Sequence, residues 1–319
     1  MRHSSVSRDD FNPKAIAKPS QGLPSPSVIF VFLDGLGPAD DTNPLWLAPM
    51  PNLRRLLGGP LVAGRNVDRP SLLFKLLDAL LGVQGLPQSA TGQTALFTGI
   101  NAAQLLGQHV GAYPTGPLIE VINEHNILKR ATERGYRATF ANAYTPQYFQ
   151  LVKERKRRHS ATTLSVLAAG LPFRTLADLE RGEAVYWDIT NFYLAGHLHM
   201  AVPIIEPETA GQRLARLSQN YDLVLYESFL PDAVGHRKDL ELALQVLDLL
   251  DRFFAGLLEE IGPTVTVVMS SDHGNLEGIG SRLHSTNPVP LLAVGPGAAS
   301  FRQAQAITDV AGGIMRVLV

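Results

Sequence analysis

The feature that most constrains the fold is a set of short, largely apolar runs at residues 28–33, 222–227, 264–270 and 289–294. Continuous apolar runs of this length are typical of buried strands in a parallel sheet that is covered on both faces. Residues 240–261 repeat apolar side chains at helical spacing, which predicts a long amphipathic helix. The pattern therefore predicts an α/β fold with a mostly parallel central sheet and helices on both faces.

Shorter segments extend this framework. Apolar spacing predicts helices at residues 51–57, 71–81, 123–135 and 207–220, and a further strand at residues 136–143. The 319 residues are enough for one large α/β domain or two small ones.

The alternation of strands and helices is lost between residues 144 and 202. This stretch contains a basic run at residues 153–159 and an aromatic-rich run at residues 186–193. We interpret it as a small inserted cap within a domain that spans residues 27–319. The basic run fits either a solvated helix face or a set of cations that receive a phosphorylated substrate. Residues 1–26 mix Ser, Pro, Lys and Asp, and are predicted to form a disordered lead-in.

The composition excludes several classes of protein and site. The 28 Lys and Arg residues nearly balance the 29 Asp and Glu residues, so no overall positive charge favours nucleic acid or an acidic membrane surface. No apolar stretch approaches the roughly 18 residues that a membrane span requires, and we expect a soluble cytoplasmic protein. Cysteine is absent, which excludes disulfides, thiolate nucleophiles and cysteine-ligated zinc. Any metal must be held by oxygen and imidazole groups, and no oligomeric state is indicated.

Carboxylate and imidazole side chains lie at the ends of the predicted strands and in the loops near them. They are Asp34, Asp232, His236, Asp272, His273 and His284. Taken singly, Asp34 also fits a turn before Gly35, and the Asp272–His273 pair also fits a salt bridge. Open α/β sheets, however, place their ligands at the carboxyl ends of the strands. Mixed carboxylate and imidazole groups suit zinc or manganese better than calcium.

The segment from Ser89 to Gly99 is a candidate for the nucleophile. Small hydroxyl residues lead into an apolar helical stretch and put Ser89 near a helix N-terminus, where free N–H groups favour an anion. By itself the segment fits an ordinary helix cap better, and only the other candidate ligands favour a nucleophile. With Ser89 included, seven ligating groups are too many for one tetrahedral ion, so two ions are predicted.

Two motifs resemble a known family. Ser271–Glu277, together with His284–Pro290, resembles the C-terminal metal motif of the cofactor-independent phosphoglycerate mutases, and Asp232–Asp239 resembles the second motif of phosphopentomutases. The sequence is thus similar to the alkaline phosphatase superfamily, closest to the branch of these mutases. The resemblance covers the framework outside the middle third of the chain. It implies an alkaline phosphatase-like three-layer sandwich with a small inserted cap.

The resemblance also implies roles for individual residues. One divalent ion, manganese or zinc with magnesium as an alternative, would be bound by Asp34, Ser89, Asp272 and His273. The other would be bound by Asp232, His236 and His284. Ser89 matches the nucleophile of the family because it lies three positions before Gly92, and Thr91 is the alternative.

This sequence departs from its relatives where the family has Gly-His after the nucleophile, because Gly92 is followed by Gln93. Substitutes for holding the transferred phosphoryl oxygens are Gln93, Asn101 and His109, although His109 also fits a structural role.

The expected activity is metal-dependent hydrolysis of a small phosphate ester through a phosphoserine. A mutase must exclude water while its intermediate reorients, and the stretch at residues 144–202 is short for the independent domain that this would require. A phosphomutase acting on a phosphosugar or phosphoglycerate is the alternative, and a non-catalytic metal-binding protein is a second alternative. Neither nucleic acid nor a membrane is expected as a partner.

Overall fold

The computed structural model describes residues 25–38 and 44–319. The lead-in predicted at residues 1–26 lies, apart from its last two residues, outside the described part. The strands are β1 (Ser27–Leu33), β2 (Val67–Arg69), β3 (Leu72–Leu77), β4 (Ala138–Phe140), β5 (Ala143–Tyr144), β6 (Arg174–Thr175), β7 (Leu223–Ser228), β8 (Val265–Ser270) and β9 (Val289–Val294).

Seven of these strands form one central sheet in the order β2-β3-β9-β8-β1-β7-β4. The pairs β8–β1, β1–β7 and β7–β4 are parallel, whereas β9 is antiparallel to both β8 and β3, and β2 is antiparallel to β3. The sheet is therefore mixed, with three parallel and three antiparallel strand pairs, whereas the sequence predicted a mostly parallel sheet; the antiparallel pairs are those of β2, β3 and β9. Leu33 lies opposite Ser228, and Phe32 lies opposite Ser270, so β1, β7 and β8 end at the same edge.

Helices cover both faces of the sheet. They are α1 (Pro44–Leu47), α2 (Pro51–Leu57), α3 (Ser89–Thr98), α4 (Ala102–Leu106), α5 (Pro117–His125), α6 (Ile127–Glu133), α7 (Pro146–Lys153), α8 (Ala161–Ala168), α9 (Leu176–Glu180), α10 (Pro207–Leu217), α11 (Leu230–Gly235), α12 (Leu240–Glu260) and α13 (Thr308–Val317). A π-helical turn spans Tyr193–His197, and 3-10 turns span Leu276–Gly278 and Pro296–Phe301. None of the helices in the described residues combines the length and the hydrophobicity needed to cross a bilayer.

The central strand β1 shows why the fold has three layers. All seven of its residues are buried. Val28, Phe30 and Phe32 pack into the core beneath α3, α5, α6, α8 and α13, whereas the alternate residues pack into a second core beneath α2, α10 and α12. Because successive side chains of a strand point to opposite faces, an apolar run without alternation requires cover on both sides. Each such buried side chain contributes about 1.5–3 kcal/mol.

Two predicted elements differ from the structure. The helix predicted at residues 71–81 is instead strand β3, which pairs with β2 and with β9. Short apolar runs fit a strand or a buried helix equally, and here the pairing with β9 decides. The helix predicted at residues 123–135 is interrupted, because the Asn126 side chain accepts a hydrogen bond from Lys129 N at 3.0 Å and caps α6.

The stretch predicted as a cap has two parts. Helix α8 packs into the main core through Ala161 and Val166. Other residues of the stretch form a small apolar cluster of their own around Leu179, Tyr186 and Leu194, whereas Val185 and Ile189 between them pack into the second core. The boundaries of an inserted cap at residues 144–202 thus remain a prediction.

Candidate active site

The structure brings the predicted ligands together at the carboxyl edge of the sheet. They form two groups, and within each group one ligand atom per residue lies within 4.8 Å of the others. The first group is Asp34, Asp272 and His273, and the second is Asp232, His236 and His284. The rings of His273 and His284 stack with centroids 3.8 Å apart and 14° between their planes, so the two groups are contiguous.

The first group follows strands β1 and β8. His273 Nε2 lies 3.3 Å from Asp34 Oδ1 and 3.5 Å from Asp272 Oδ2. Asp272 and His273 are fully buried, and neither of these two carboxylate oxygens has a hydrogen-bond donor among the described residues. Buried acceptors without donors are costly unless a cation balances them. The group therefore fits a divalent metal ion.

The pKa values of this group also favour a bound cation. Burial and the neighbouring Asp272 raise the pKa of Asp34 well above its usual range. Burial, with the charge of Asp232, raises the pKa of Asp272 to about 8. Burial and the neighbouring His284 lower the pKa of His273 well below its usual value. Without a cation these side chains resist ionisation, whereas a divalent ion would stabilise two carboxylates and a neutral imidazole.

The second group is built on helix α11. Asp232 and His236 lie one helical turn apart, and Asp232 Oδ2 lies 3.4 Å from His236 Nε2. His284 Nε2 lies 3.5 Å from Asp232 Oδ1. The Nδ1 atoms of the two histidines lie 2.7 and 2.8 Å from the carbonyl oxygens of Arg282 and Pro87. These carbonyls can only accept, so Nδ1 carries the proton and Nε2 presents its lone pair to a metal.

Ser89 is the first residue of helix α3, and its Oγ lies 3.0 Å from His273 Nε2. The helix starts directly against the first group, since a Cβ added at Gly92 would lie 2.8 Å from the Asp272 carbonyl oxygen. Thr91 is also close by in sequence, but it is buried. Its hydroxyl donates to Gln88 O and accepts from Val110 N, so it is committed to local structure.

The three residues proposed to hold phosphoryl oxygens occupy different places. Gln93 donates from Nε2 to Asp34 Oδ2 at 3.0 Å and lines the cavity above the metal groups. Asn101 caps helix α4 and donates to Leu81 O, and His109 Nε2 lies 3.3 Å from Val83 O. Neither Asn101 nor His109 is among the described residues that line the cavity. Their side chains serve local structure, and the expectation that they contact substrate is not supported.

A cavity of about 610 Å³ opens above the two groups. Asp34, Ser89 and Asp232 contribute to its lining. Residues from the stretch at 144–202 form much of its remaining wall, and they include both aromatic side chains and the arginines at positions 157 and 158. The predicted cap therefore does border the candidate site.

Comparisons with known proteins show what parts of this chain are similar to. Residues 207–319 match a family model described as the Metalloenzyme superfamily. Two 2,3-bisphosphoglycerate-independent phosphoglycerate mutases are similar in sequence. The one from Cereibacter sphaeroides is 28% identical over 120 residues, which is 35% of this chain and 24% of that protein. The one from Desulforudis audaxviator is 34% identical over 109 residues, which is 31% of this chain and 21% of that protein.

Two solved structures share the fold. A Pyrococcus horikoshii protein gives a TM-score of 0.56 at 16% identity, covering 93% of this chain and 98% of that chain. An alkaline phosphatase from the Antarctic bacterium TAB5 gives 0.54 at 12% identity, covering 93% and 99%. The chain thus has an alkaline phosphatase-like fold, and its C-terminal third matches the Metalloenzyme superfamily. Part of its sequence is similar to phosphoglycerate mutases, although it matches only about a quarter of the length of those curated relatives.

Sequence reasoning missed two side chains that hold the candidate ligands in place. Asn275 donates to Asp232 Oδ1 at 2.7 Å. Glu277 accepts from Gly37 N at 3.0 Å and also bonds Ser285, so it ties the loop after β1 to the loop that carries His284. Both residues lie within the motif Ser271–Glu277. Their place in that motif was the available signal.

Gly35 lies where the two metal groups approach each other. Its φ is +75°, and a Cβ there would lie 2.6 Å from Asp232 Cα. We expect Gly35→Ala to lower the free energy of unfolding by about 1–3 kcal/mol and to weaken metal binding, because Asp232 must move. Calorimetric titration with Mn²⁺ and a thermal melt measure the two effects.

The matched control is Gly64→Ala, because Gly64 has a φ of +83° and no atom within 4 Å of an added Cβ. It should lose stability through backbone strain and bind metal normally. Equal metal affinity in both variants would contradict the proposed role of Gly35.

Proposed function

We propose that this protein is a metal-dependent phosphatase that hydrolyses a small phosphomonoester through a phosphoserine at Ser89. The observation that carries the proposal is the position of Ser89 Oγ, at the start of a helix, 3.0 Å from His273 Nε2 and on the lining of the cavity. Asp34, Ser89, Asp272 and His273 would hold one ion, and Asp232, His236 and His284 the other. Manganese or zinc fits these donors, with magnesium as the alternative.

The ions would neutralise charge on the transferred phosphoryl group and favour ionisation of the Ser89 hydroxyl. The Ser89 hydroxyl gives up its proton to solvent and its Oγ attacks phosphorus, so that the bond from Oγ to phosphorus forms and the bond from phosphorus to the ester oxygen breaks. The departing alcohol takes a proton from solvent. Water then attacks the phosphoserine, which releases inorganic phosphate and restores the hydroxyl. The free N–H groups at the start of α3 would stabilise the phosphoryl oxygens.

A second candidate is a phosphomutase, in which a hydroxyl of the bound substrate takes the phosphoryl group instead of water. The sequence similarity to phosphoglycerate mutases favours it. The chemistry at Ser89 is the same in both candidates, and the acceptor of the phosphoryl group distinguishes them. A cytoplasmic location remains a prediction.

The test is an assay of the purified full chain with Mn²⁺, Zn²⁺ and Mg²⁺ in turn. We expect inorganic phosphate to be released from small phosphomonoesters, and phosphorus NMR to show no isomerised ester. Isomerisation of 3-phosphoglycerate or a pentose phosphate without phosphate release would establish the mutase. No reaction on any ester with any metal would contradict both and favour a non-catalytic metal-binding protein.

A further inference from the structure

We propose that Glu227 determines substrate specificity by accepting a hydrogen bond from a hydroxyl or ammonium group on the alcohol half of the substrate. This inference rests on the proposed function and names a class of substrate for it. The class is phosphomonoesters of small polar alcohols that carry a second hydrogen-bond donor. The chemistry described above does not use Glu227, although it lines the same cavity as Ser89 and Asp232.

The backbone of Glu227 is held rigidly. It lies in strand β7, next to the last residue of the strand. The Asn142 side chain donates to Glu227 O at 2.7 Å and accepts from Glu227 N at 2.9 Å. These two bonds continue the pairing of β4 with β7 beyond Phe140. The carboxyl group is therefore placed by the sheet itself, which gives a precisely oriented acceptor.

The carboxyl group is held on one side only. Thr162 in helix α8 donates its hydroxyl proton to Glu227 Oε2 at 2.8 Å. No described residue donates a hydrogen bond to Oε1, and no Lys, Arg or His of the described part forms an ion pair with Glu227. The residue is nevertheless only 6% exposed. A buried carboxylate with one free oxygen is expected to find a donor, and the cavity supplies the space for it.

The burial of this group has an electrostatic consequence. Burial raises the pKa of Glu227 to about 7, against the opposing effect of the Thr162 hydrogen bond. A donor from the substrate would offset the penalty that burial places on the charged form.

Aromatic rings line the same cavity. Trp187 stacks on Phe229 with centroids 4.1 Å apart and 14° between the planes, and Tyr144 meets Tyr148 at 4.6 Å. Flat rings cover the C–H surfaces of a small alcohol, and they also favour a cation near their faces. An acceptor beside such rings suits an alcohol with one apolar face and one donor. Arg157 also lines the cavity, and its positive charge suits an additional anionic group on the substrate.

The test compares three esters of nearly equal size: 2-aminoethyl phosphate, 2-hydroxyethyl phosphate and ethyl phosphate. Their dissociation constants are measured by calorimetry with Mn²⁺ present, in a Ser89→Ala chain that cannot turn them over. We expect 2-aminoethyl phosphate, 2-hydroxyethyl phosphate or both to bind roughly tenfold or more tightly than ethyl phosphate, which has no donor on its alcohol half. Glu227→Gln in the same chain should remove most of that difference. If Glu227→Gln weakens the binding of only the aminoethyl or only the hydroxyethyl ester, the group that donates to Glu227 is an ammonium or a hydroxyl, respectively.

Glu259→Gln is the matched control, because Glu259 is exposed near the end of α12 and its loss changes the net charge equally. It should leave all three constants unchanged. If Glu227→Gln does not fold, Thr162→Val removes the bond that orients the carboxyl group and should narrow the same difference. Equal binding of the three esters, or equal weakening of all three in the variant, would overturn this proposal. Failure of the proposed function shows separately, as absence of turnover in the unmodified chain.

Discussion

Ser89→Ala is expected to reduce the turnover of a phosphomonoester by roughly 10³-fold or more. The alanine chain has no hydroxyl 3.0 Å from His273 Nε2, so no phosphoserine can form. Folding should be unaffected, because Ser89 stands at the first position of α3 and its Oγ bonds no backbone group among the described residues. The measurement is release of inorganic phosphate with saturating metal, together with the mass of the chain after brief exposure to ester. The unmodified chain should gain the mass of one phosphoryl group, and the variant none.

Thr91→Val is the control for this prediction, since it removes another hydroxyl from the first turn of the same helix. Thr91 bonds Gln88 O and Val110 N, so its loss should lower the free energy of unfolding by about 1 kcal/mol. Turnover should remain near that of the unmodified chain. If Thr91→Val abolished turnover and Ser89→Ala did not, the nucleophile would be Thr91 and the position of Ser89 would be incidental.

Most ligands of the two metal groups could be predicted because they lie shortly after strands that the apolar runs of the sequence reveal. Asp34 and Asp272 come directly after continuously apolar runs, and parallel strands deliver such residues to one edge. Asp232 and His236 are four positions apart, so a single helical turn brings their side chains to the same side of α11. His284 lies in a loop without periodicity, and only the resemblance of its motif to a known family indicated its role.

Glu227 was missed although it obeys the same rule as Asp34, because it lies near the end of strand β7. A lone acid at this place fits a solvated strand end equally well. What distinguishes Glu227 is its contact with Thr162 and Asn142, which come from segments 65 and 85 residues away in sequence. Contacts at such separations carry no local signal.

Strand β3 illustrates a different limit. The run Leu72–Leu77 is apolar at every position but one, and such a run has neither a clear helical nor a clear strand period. Its conformation is decided by pairing with β9, more than 200 residues later. The packing of the middle of the chain could not be predicted either. In this stretch α8 is a single short helix that joins the main core, with no regular alternation of strands and helices around it.

Removal of the metal is the second change with a large expected effect. A divalent ion binds the folded chain and not the unfolded one, so at 100 times its dissociation constant it should add about 2.7 kcal/mol to the free energy of unfolding. For a chain of this size we expect Tm to fall by roughly 5 °C or more when EDTA is added. Differential scanning calorimetry with Mn²⁺ or EDTA measures the shift.

The dependence of this effect on pH follows from the buried acids. Asp34 and Asp272 have folded pKa values raised by burial, the latter to about 8, and that of Glu227 is raised to about 7. In the metal-free chain the folded state thus holds protons that the unfolded state has lost. The stability from such groups is complete below their unfolded pKa and is lost as pH rises through the folded values. His273 has the opposite effect only below its ordinary value of 6.5.

Between pH 6.5 and 8 the metal-free chain should therefore lose about 1.4 kcal/mol per pH unit for each extra proton held, and its Tm should fall. Metal affinity rises over the same range because the ligands must deprotonate, so the difference between the Mn²⁺ and EDTA melts should widen with pH. Asp272→Asn tests the cause, because an amide there cannot ionise: the metal-free slope should become shallower, and the response to Mn²⁺ should largely disappear. If the metal-free Tm were constant from pH 6.5 to 8, the folded chain would hold no extra protons on these carboxyl groups. If Mn²⁺ also had no effect on Tm, these two clusters would not be a metal site.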